Sequence, residues 1–353
     1  MSALIEITPL GFPWPTLDPF LFCVHHLDHY PAGGEHQGPD PSLLAGRQLG
    51  MDFETRDGFR MYHGRAVPGF PRHPHRGFET VTLLTQGYCD HSDSLGATAR
   101  FGPGDAQWMT AGRGIEHAEM FPLRHRDQDN TLELFQLWLN LPASRKLANP
   151  SFSMLWRNRI PRRRFTDAQG RDAEIIFVAG GFDGVEPAAP PPDSWASQAD
   201  ADVAIWLIHL AEHATYRLPS AQPGSNRALY FYRGDHLTVE DQPLPAYHRA
   251  TLRADQPVDL QAGPGGADLL LLQGRPINEP VAQQGPFVMN TPGEIRQAFL
   301  DYQRDRFGQR WPWDADDPVH DRERDRFAIH ADGREDTPGD GVQSPEAGPV
   351  AAG

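Results

Sequence analysis

From residue 69 to residue 141 the chain reads as short β-rich segments, each stopped by a turn. ETVTLLTQG (79–87) is rich in Thr, Val and Leu and ends in glycine. Turn signals follow at Leu95-Gly96 and at Gly102-Pro103-Gly104, and LELFQLWLNLP (132–142) alternates and ends in proline. Gly and Pro number 34 each in 353 residues, which favours short strands over long helices. Strands at this spacing predict an antiparallel barrel or sandwich. The pattern repeats loosely in EIIFVAGGF, VAIWLIHLAEHATYRLP, RALYFYRGDHLTV and ADLLLLQG, with a Pro-rich surface loop, EPAAPPPDSW (186–195), among them. The reading is an all-β chain of two domains, 1–143 and 144–313. An acidic tail, 314–353, is expected to be partly disordered, above all over its last fifteen or so residues.

One segment departs from the strand pattern. In TPGEIRQAFLDYQRDRFG, Thr291 suits the cap, Pro292 the first helical position, Glu294 the capping-box position and Gly308 the stop. Ile295, Ala298, Phe299, Tyr302 and Phe307 supply an apolar face. The expected helix is 292–307, within the second domain.

Charge and composition remove several classes. The net charge is -15, which argues against direct binding of nucleic acid. It is uneven, because residues 314–353 hold 11 Asp/Glu against 4 Arg. No run approaches eighteen apolar residues, so no membrane span is expected. The N-terminal MSALIEITPLGFPW lacks a basic region followed by an apolar block, so no secretory signal is expected. Cys23 and Cys89 do not make a disulfide framework, and a reducing cytoplasm is the expected location.

Two short motifs carry chemistry: RHPHRGFET (72–80) and GIEHAEM (114–120). Residues two apart on a strand point the same way. His73 and His75 therefore project together, and so do His117 and Glu119. If the two strands face one another inside a barrel, three imidazoles and one carboxylate converge. Such a set suits Fe(II), Mn(II), Ni(II), Cu(II) or Zn(II). Four protein ligands on one side of an octahedron leave two open positions, the mark of a catalytic or sensory site. The plain alternative is packing or surface histidine. Glu116 has the opposite parity to His117. Glu79 shares the parity of His73 and His75, and spacing does not decide between Glu79 and Glu119.

VPGFPRHPHRGFETVT and GPGDAQWMTAGRGIEHAEM closely resemble the pirin family, a branch of the cupin superfamily. FQLWLNLPA and GRPINEPVAQQGPFVMNT resemble later blocks of that family, in order, so the resemblance runs from about residue 18 to 308. It implies a bicupin, two jelly-roll β-barrels in one chain, with one metal in the N-terminal barrel, usually iron. It implies His73, His75, His117 and Glu119 as ligands, Glu79 in a supporting position, and a second barrel that has lost its site. His209, His213, His236 and His248 of that barrel are accordingly read as surface or packing residues.

The activity implied is that of a quercetin 2,3-dioxygenase-like oxidoreductase, cleaving a flavonol or related enol with O2. The metal would lower the pKa of the substrate hydroxyl, and Glu119 would stay bound or take the proton. Phe70, Phe78, Trp108 and Met109 are candidates for the pocket wall, with barrel core as the plain alternative. The rival reading is a metal-dependent, redox-sensing regulator that acts through a protein partner without turnover. The chain departs from the family pattern in a long segment, 31–66, which carries His36 and His63; a solvated loop is the favoured reading, with a loop covering the metal mouth as the alternative. The acidic tail is the second departure. Arg157, Arg159 and Arg162-Arg163-Arg164 are read as a solvated strand edge, and Cys89 as unreactive.

Overall fold

The structure is a computed structural model that describes residues 2–339 and the backbone of 350–351. The strands in chain order begin β1 Leu4–Pro9, β2 Phe20–Tyr30, β3 Gly69–His75, β4 Phe78–Gln86, β5 Cys89–Asp93, β6 Thr98–Phe101, β7 Ala106–Thr110, β8 Ile115–Met120 and β9 Asn130–Asn140. They continue as β10 Ser151–Leu155, β11 Arg162–Thr166, β12 Asp172–Ala179, β13 Ala204–Leu210, β14 Thr215–Leu218, β15 Asn226–Gly234, β16 Leu237–Val239, β17 Gln242–Leu244, β18 His248–Leu252, β19 Val258–Ala262 and β20 Ala267–Gly274. Last come β21 Ala282–Gln284, β22 Phe287–Met289, the helix α1 Pro292–Asp305, β23 Phe327–Ile329, β24 Glu335–Asp336 and β25 Val350–Ala351.

Two compact units result. Among the described residues, one is Val24–Arg157 with 279–339, and the other is 2–23 with Asn158–Asn278 and the backbone of 350–351. The first unit is built from a five-stranded sheet, β10-β7-β4-β9-β2, and a six-stranded sheet, β24-β23-β6-β5-β8-β3. Its centre is β4, FETVTLLTQ, whose Thr, Val and Leu side chains suit a strand buried on both faces. β4 pairs antiparallel with β7 and β9. The second unit has an eight-stranded sheet, β1-β18-β15-β20-β13-β12-β11-β25, and a four-stranded one, β14-β19-β16-β17. Leu, Ile, Phe and Trp residues of these sheets enclose an apolar core. No helix among the described residues is long and apolar enough to cross a membrane.

These units are drawn differently from the sequence division at both ends of the chain. The first residues, through Cys23, group with the second barrel, because β1 pairs with β18. The helix groups with the first unit, not with residues 144–278. Its Ile295 and Ala298 pack on Phe287 and Met289, with Phe299, Tyr302 and Phe307 around them. Its start has the expected capping box: Glu294 N–H donates to Thr291 Oγ1, and Glu294 Oε2 accepts from Thr291 N–H. It stops earlier than expected, because Arg306 (φ 51°) and Phe307 (φ 62°) turn left-handed ahead of Gly308.

The described part of the acidic tail is built into the first unit. Arg72 N–H donates to Asp316 O (2.6 Å) and Trp313 Nε1–H to Asp93 O (2.9 Å). Arg100, fully buried, holds both oxygens of Asp90 at 2.7 Å and donates to the carbonyls of His320, Asp321 and Arg324. β23 then pairs with β6. The expected disorder of the last residues lies outside the described residues, apart from the two-residue strand β25, which pairs with β11.

Candidate metal centre

β3 and β8 are antiparallel neighbours, and their register sets His73 opposite His117. Alternation then brings His75 to the same side. The three ring centroids lie 4.4 Å (His73–His117), 4.8 Å (His73–His75) and 4.9 Å (His75–His117) apart. One donor atom from each falls within 4.8 Å of the others. His117 is wholly buried and His75 nearly so, while His73 is half-buried.

The hydrogen bonds around the rings leave nitrogens over. Pro71 O lies 2.8 Å from His73 Nδ1, and Pro286 O lies 3.4 Å from His75 Nδ1. A carbonyl only accepts, so each Nδ1 carries the proton and each Nε2 keeps its lone pair. Neither nitrogen of His117 has a hydrogen-bond partner among the described residues. Burial lowers the pKa of His73 to about 4, against a smaller upward pull from the Pro71 carbonyl. Burial also holds His75 and His117 well below the ordinary range, and neighbouring imidazoles add to the effect. All three rings are therefore neutral at pH 7, the state in which imidazole ligates a metal. Three converging neutral nitrogens and a buried ring with both nitrogens unpartnered fit a divalent transition metal.

Glu119 shares the face of His117 but is not among the atoms gathered within 4.8 Å. Its Oε1 lies 2.9 Å from the Thr82 hydroxyl, which is also 2.7 Å from Gln136 Oε1. The hydroxyl has one proton and serves one oxygen at a time. Burial raises the Glu119 pKa, while His91 and Thr82 pull it down.

Glu79 lies elsewhere. Its Oε1 accepts from Thr110 Oγ1 (2.7 Å) and Trp108 Nε1 (3.2 Å). Its parity with His73 and His75 holds only along one strand, and Gly77 (φ 86°) breaks the chain between β3 and β4. Glu116 is bound by Arg72 and Tyr302.

Of the wall candidates, Phe78 meets His75 (5.1 Å) and Phe70 lies 6.3 Å from His73. Met109 pairs with Thr80, on the face of β4 that carries Thr82, and packs on Ala111 and Ile115. Trp108 turns to the opposite face with Glu79. Sequence reasoning missed Trp138, 5.5 Å from His75, and His91, whose ring is 5.4 Å from His117. Gln107 Nε2 donates to His91 Nδ1, so His91 Nε2–H faces Asp93 Oδ2 at 3.2 Å. The alternation of FQLWLN places Trp138 with Gln136 and was the available signal for it. Nothing local marks His91.

The segment 31–66 is not simply a solvated loop. Met61 and Tyr62 are fully buried, and Tyr62 stacks on Phe70 at 5.1 Å. Phe53 and His63 meet the same ring, at 6.3 and 5.8 Å. A cleft of about 540 Å³ in this unit, lined by Tyr30, Tyr88, Phe121, His125 and Asn130 among others, includes none of the three histidines.

The remaining candidates are accounted for. His209 bonds Asp268 at 2.6 Å and His248 bonds Ala246 O at 3.0 Å. Arg163 pairs with Asp183, and Arg162 and Arg164 with Glu174. Both cysteines are buried and free, with thiols pushed up by burial.

The pirin family model matches residues 44–139, and the model for the pirin C-terminal cupin domain matches 205–308. A Pseudomonas aeruginosa protein with the provisional name quercetin 2,3-dioxygenase is 39% identical over 242 residues, covering 68% of this chain and 79% of its own length. A pirin-like protein of Caulobacter vibrioides is 37% identical over 240 residues, covering 68% and 80%. The crystal structure of a quercetin 2,3-dioxygenase from Acinetobacter baumannii matches with a TM-score of 0.67 at 24% identity, over 88% of this chain and 99% of that one, a likeness of fold.

Proposed function

The chain belongs to the pirin family, and from that premise we propose that its first barrel is a mononuclear metal-dependent dioxygenase site for quercetin or a related flavonol or enol. His73, His75 and His117 would hold one divalent transition metal, Fe(II) by expectation, with Glu119 as the carboxylate that completes the set or serves beside it. The observation that carries the reading is His117, a fully buried ring with both nitrogens unpartnered between two other imidazoles whose Nε2 lone pairs are unused. When bound, such a metal supplies Lewis acidity to an enol oxygen and a redox couple for dioxygen chemistry. The relatives' names support the substrate class.

The chain's own residues then have definite tasks. Glu119, buried and with its proton affinity raised, is the acceptor for the substrate's hydroxyl proton. Thr82 holds that carboxylate in place and, by turning to Gln136, releases it to move. Phe78 and Trp138 pack beside His75 and keep water from that side. Phe70, braced by Tyr62, presents a flat ring beside His73 to a planar substrate.

Metal content and oxygen uptake with quercetin test this together. The purified protein should hold about one metal per chain and consume oxygen. His75→Ala and His117→Ala should lose most of both. Full metal in either variant would remove these residues as ligands. Metal retained without uptake, with iron, manganese, nickel and copper each tried, would favour the regulatory reading.

A further inference from the structure

The interior of the second barrel is apolar on almost every strand. Leu229 and Phe231 of β15, Leu269 and Leu271 of β20, and Trp206 and Ile208 of β13 fill it. Alternation puts Arg227 on the same face of β15 as Leu229, and its register partner Gln273 on the same face of β20 as Leu271. Arg227 is 1% exposed, yet its Nε and Nη1 are buried with no hydrogen-bond partner, and it forms no ion pair with any described residue. Tyr216 of β14, in the same core, has a buried hydroxyl that is also unpartnered. The two groups feel one another's charge. The Asp202 carboxylate also acts on Arg227, more strongly than Tyr216 does but without an ion pair, and its Oδ2 accepts from Gln222 N–H (3.0 Å) and Ser225 Oγ (2.7 Å). Gln273 Nε2 is committed to Asp202 O, which leaves its Oε1 as an unpartnered acceptor.

A guanidinium does not give up its proton in a protein, and a buried one without a partner is strongly unfavourable. It calls for an anion. Asp202 acts on Arg227, and the Arg163–Asp183 ion pair acts on Tyr216, so at most one positive charge is left to match and a dianion would bring an uncompensated charge with it. The guanidinium fork matches the flat oxygen pair of a carboxylate. We propose that the second barrel is a binding site for a small monocarboxylate, held by the Arg227 guanidinium with the Tyr216 hydroxyl donating beside it. A ligand hydroxyl next to the carboxylate would find Gln273 Oε1 as its acceptor, so glycolate should bind more tightly than acetate. This site is independent of the first barrel's chemistry.

Calorimetric titration of the full chain with acetate and with glycolate tests it, with chloride at matched ionic strength as control. The titrations are repeated in the His75→Ala background, so that carboxylate binding at the first barrel is separated. Saturable one-to-one binding is expected in both backgrounds. It should weaken at least tenfold in Arg227→Met and several-fold in Tyr216→Phe. In carboxylate-free buffer Arg227→Met should melt at or above the parent protein, because an apolar side chain replaces an unpaired charge. No saturable binding, equal binding by Arg227→Met, or a response that chloride reproduces would overturn the proposal and leave ordered water as the guanidinium's partner.

Discussion

His117→Leu should make the metal-stripped protein more stable while abolishing its response to metal. His117 is fully buried and neither nitrogen has a partner. An unmade hydrogen bond at a buried polar group costs about 1–3 kcal/mol, and His117 presents two such atoms. Leucine of similar volume removes both and adds apolar surface. Against this stand the ring contacts to His73, His75 and His91, worth about 2 kcal/mol together. The net gain is about 2 kcal/mol. For a cooperative unit of roughly 200 residues that is a rise in Tm of about 4–8 °C. The assay is calorimetric melting of both proteins after chelation and dialysis, followed by titration with Mn(II) or Ni(II). The parent should gain Tm with metal as binding is linked to folding, and the variant should not. A variant that melts below the stripped parent would show that the ring is satisfied by packing alone. A variant stabilised by metal as the parent is would remove His117 from the ligand set.

Glu119→Gln should lower quercetin turnover by about 10²–10⁴-fold, the usual contribution of a positioned base. Burial raises the Glu119 pKa, and the base works deprotonated, so activity should fall as pH drops through that raised value. The acid limb should vanish in the variant, and an unchanged limb would assign it to another group. Arg100→Met leaves the Asp90 carboxylate buried without its counter-charge and should cost about 3–5 kcal/mol. Limited proteolysis should then cut residues 309–336 much faster, and unchanged protection would show that the tail is held by other contacts. Thr291→Ala removes the helix cap and should cost about 1 kcal/mol by urea unfolding, with the same midpoint as the parent counting against the capping role.

Much of the first barrel's site can be read from order along the chain. HPH and HAE place their side chains by the two-residue alternation of a strand, a rule that needs no knowledge of the rest of the fold. The capping box before α1 is equally local. Parity failed at Glu79, because it crosses the turn at Gly77, and a strand break resets the alternation. It also left open whether Glu119 joins the histidines, which depends on a hydroxyl from another strand, Thr82.

Other features belong to the tertiary structure alone. His91 comes beside His117 because β5 pairs with β8, and Trp138 comes beside His75 because β9 pairs with β4. The composition of the acidic tail reads as partly disordered, but Arg100, more than two hundred residues earlier, gathers its carbonyls. Arg227, unmarked in the sequence, stands out only once the fold surrounds it with an apolar core and leaves its buried Nε and Nη1 without a partner among the described residues. Short-range periodicity therefore determined which side chains share a face. Long-range pairing decided what each face meets, because burial and the presence of a partner are properties of segments far apart in the chain.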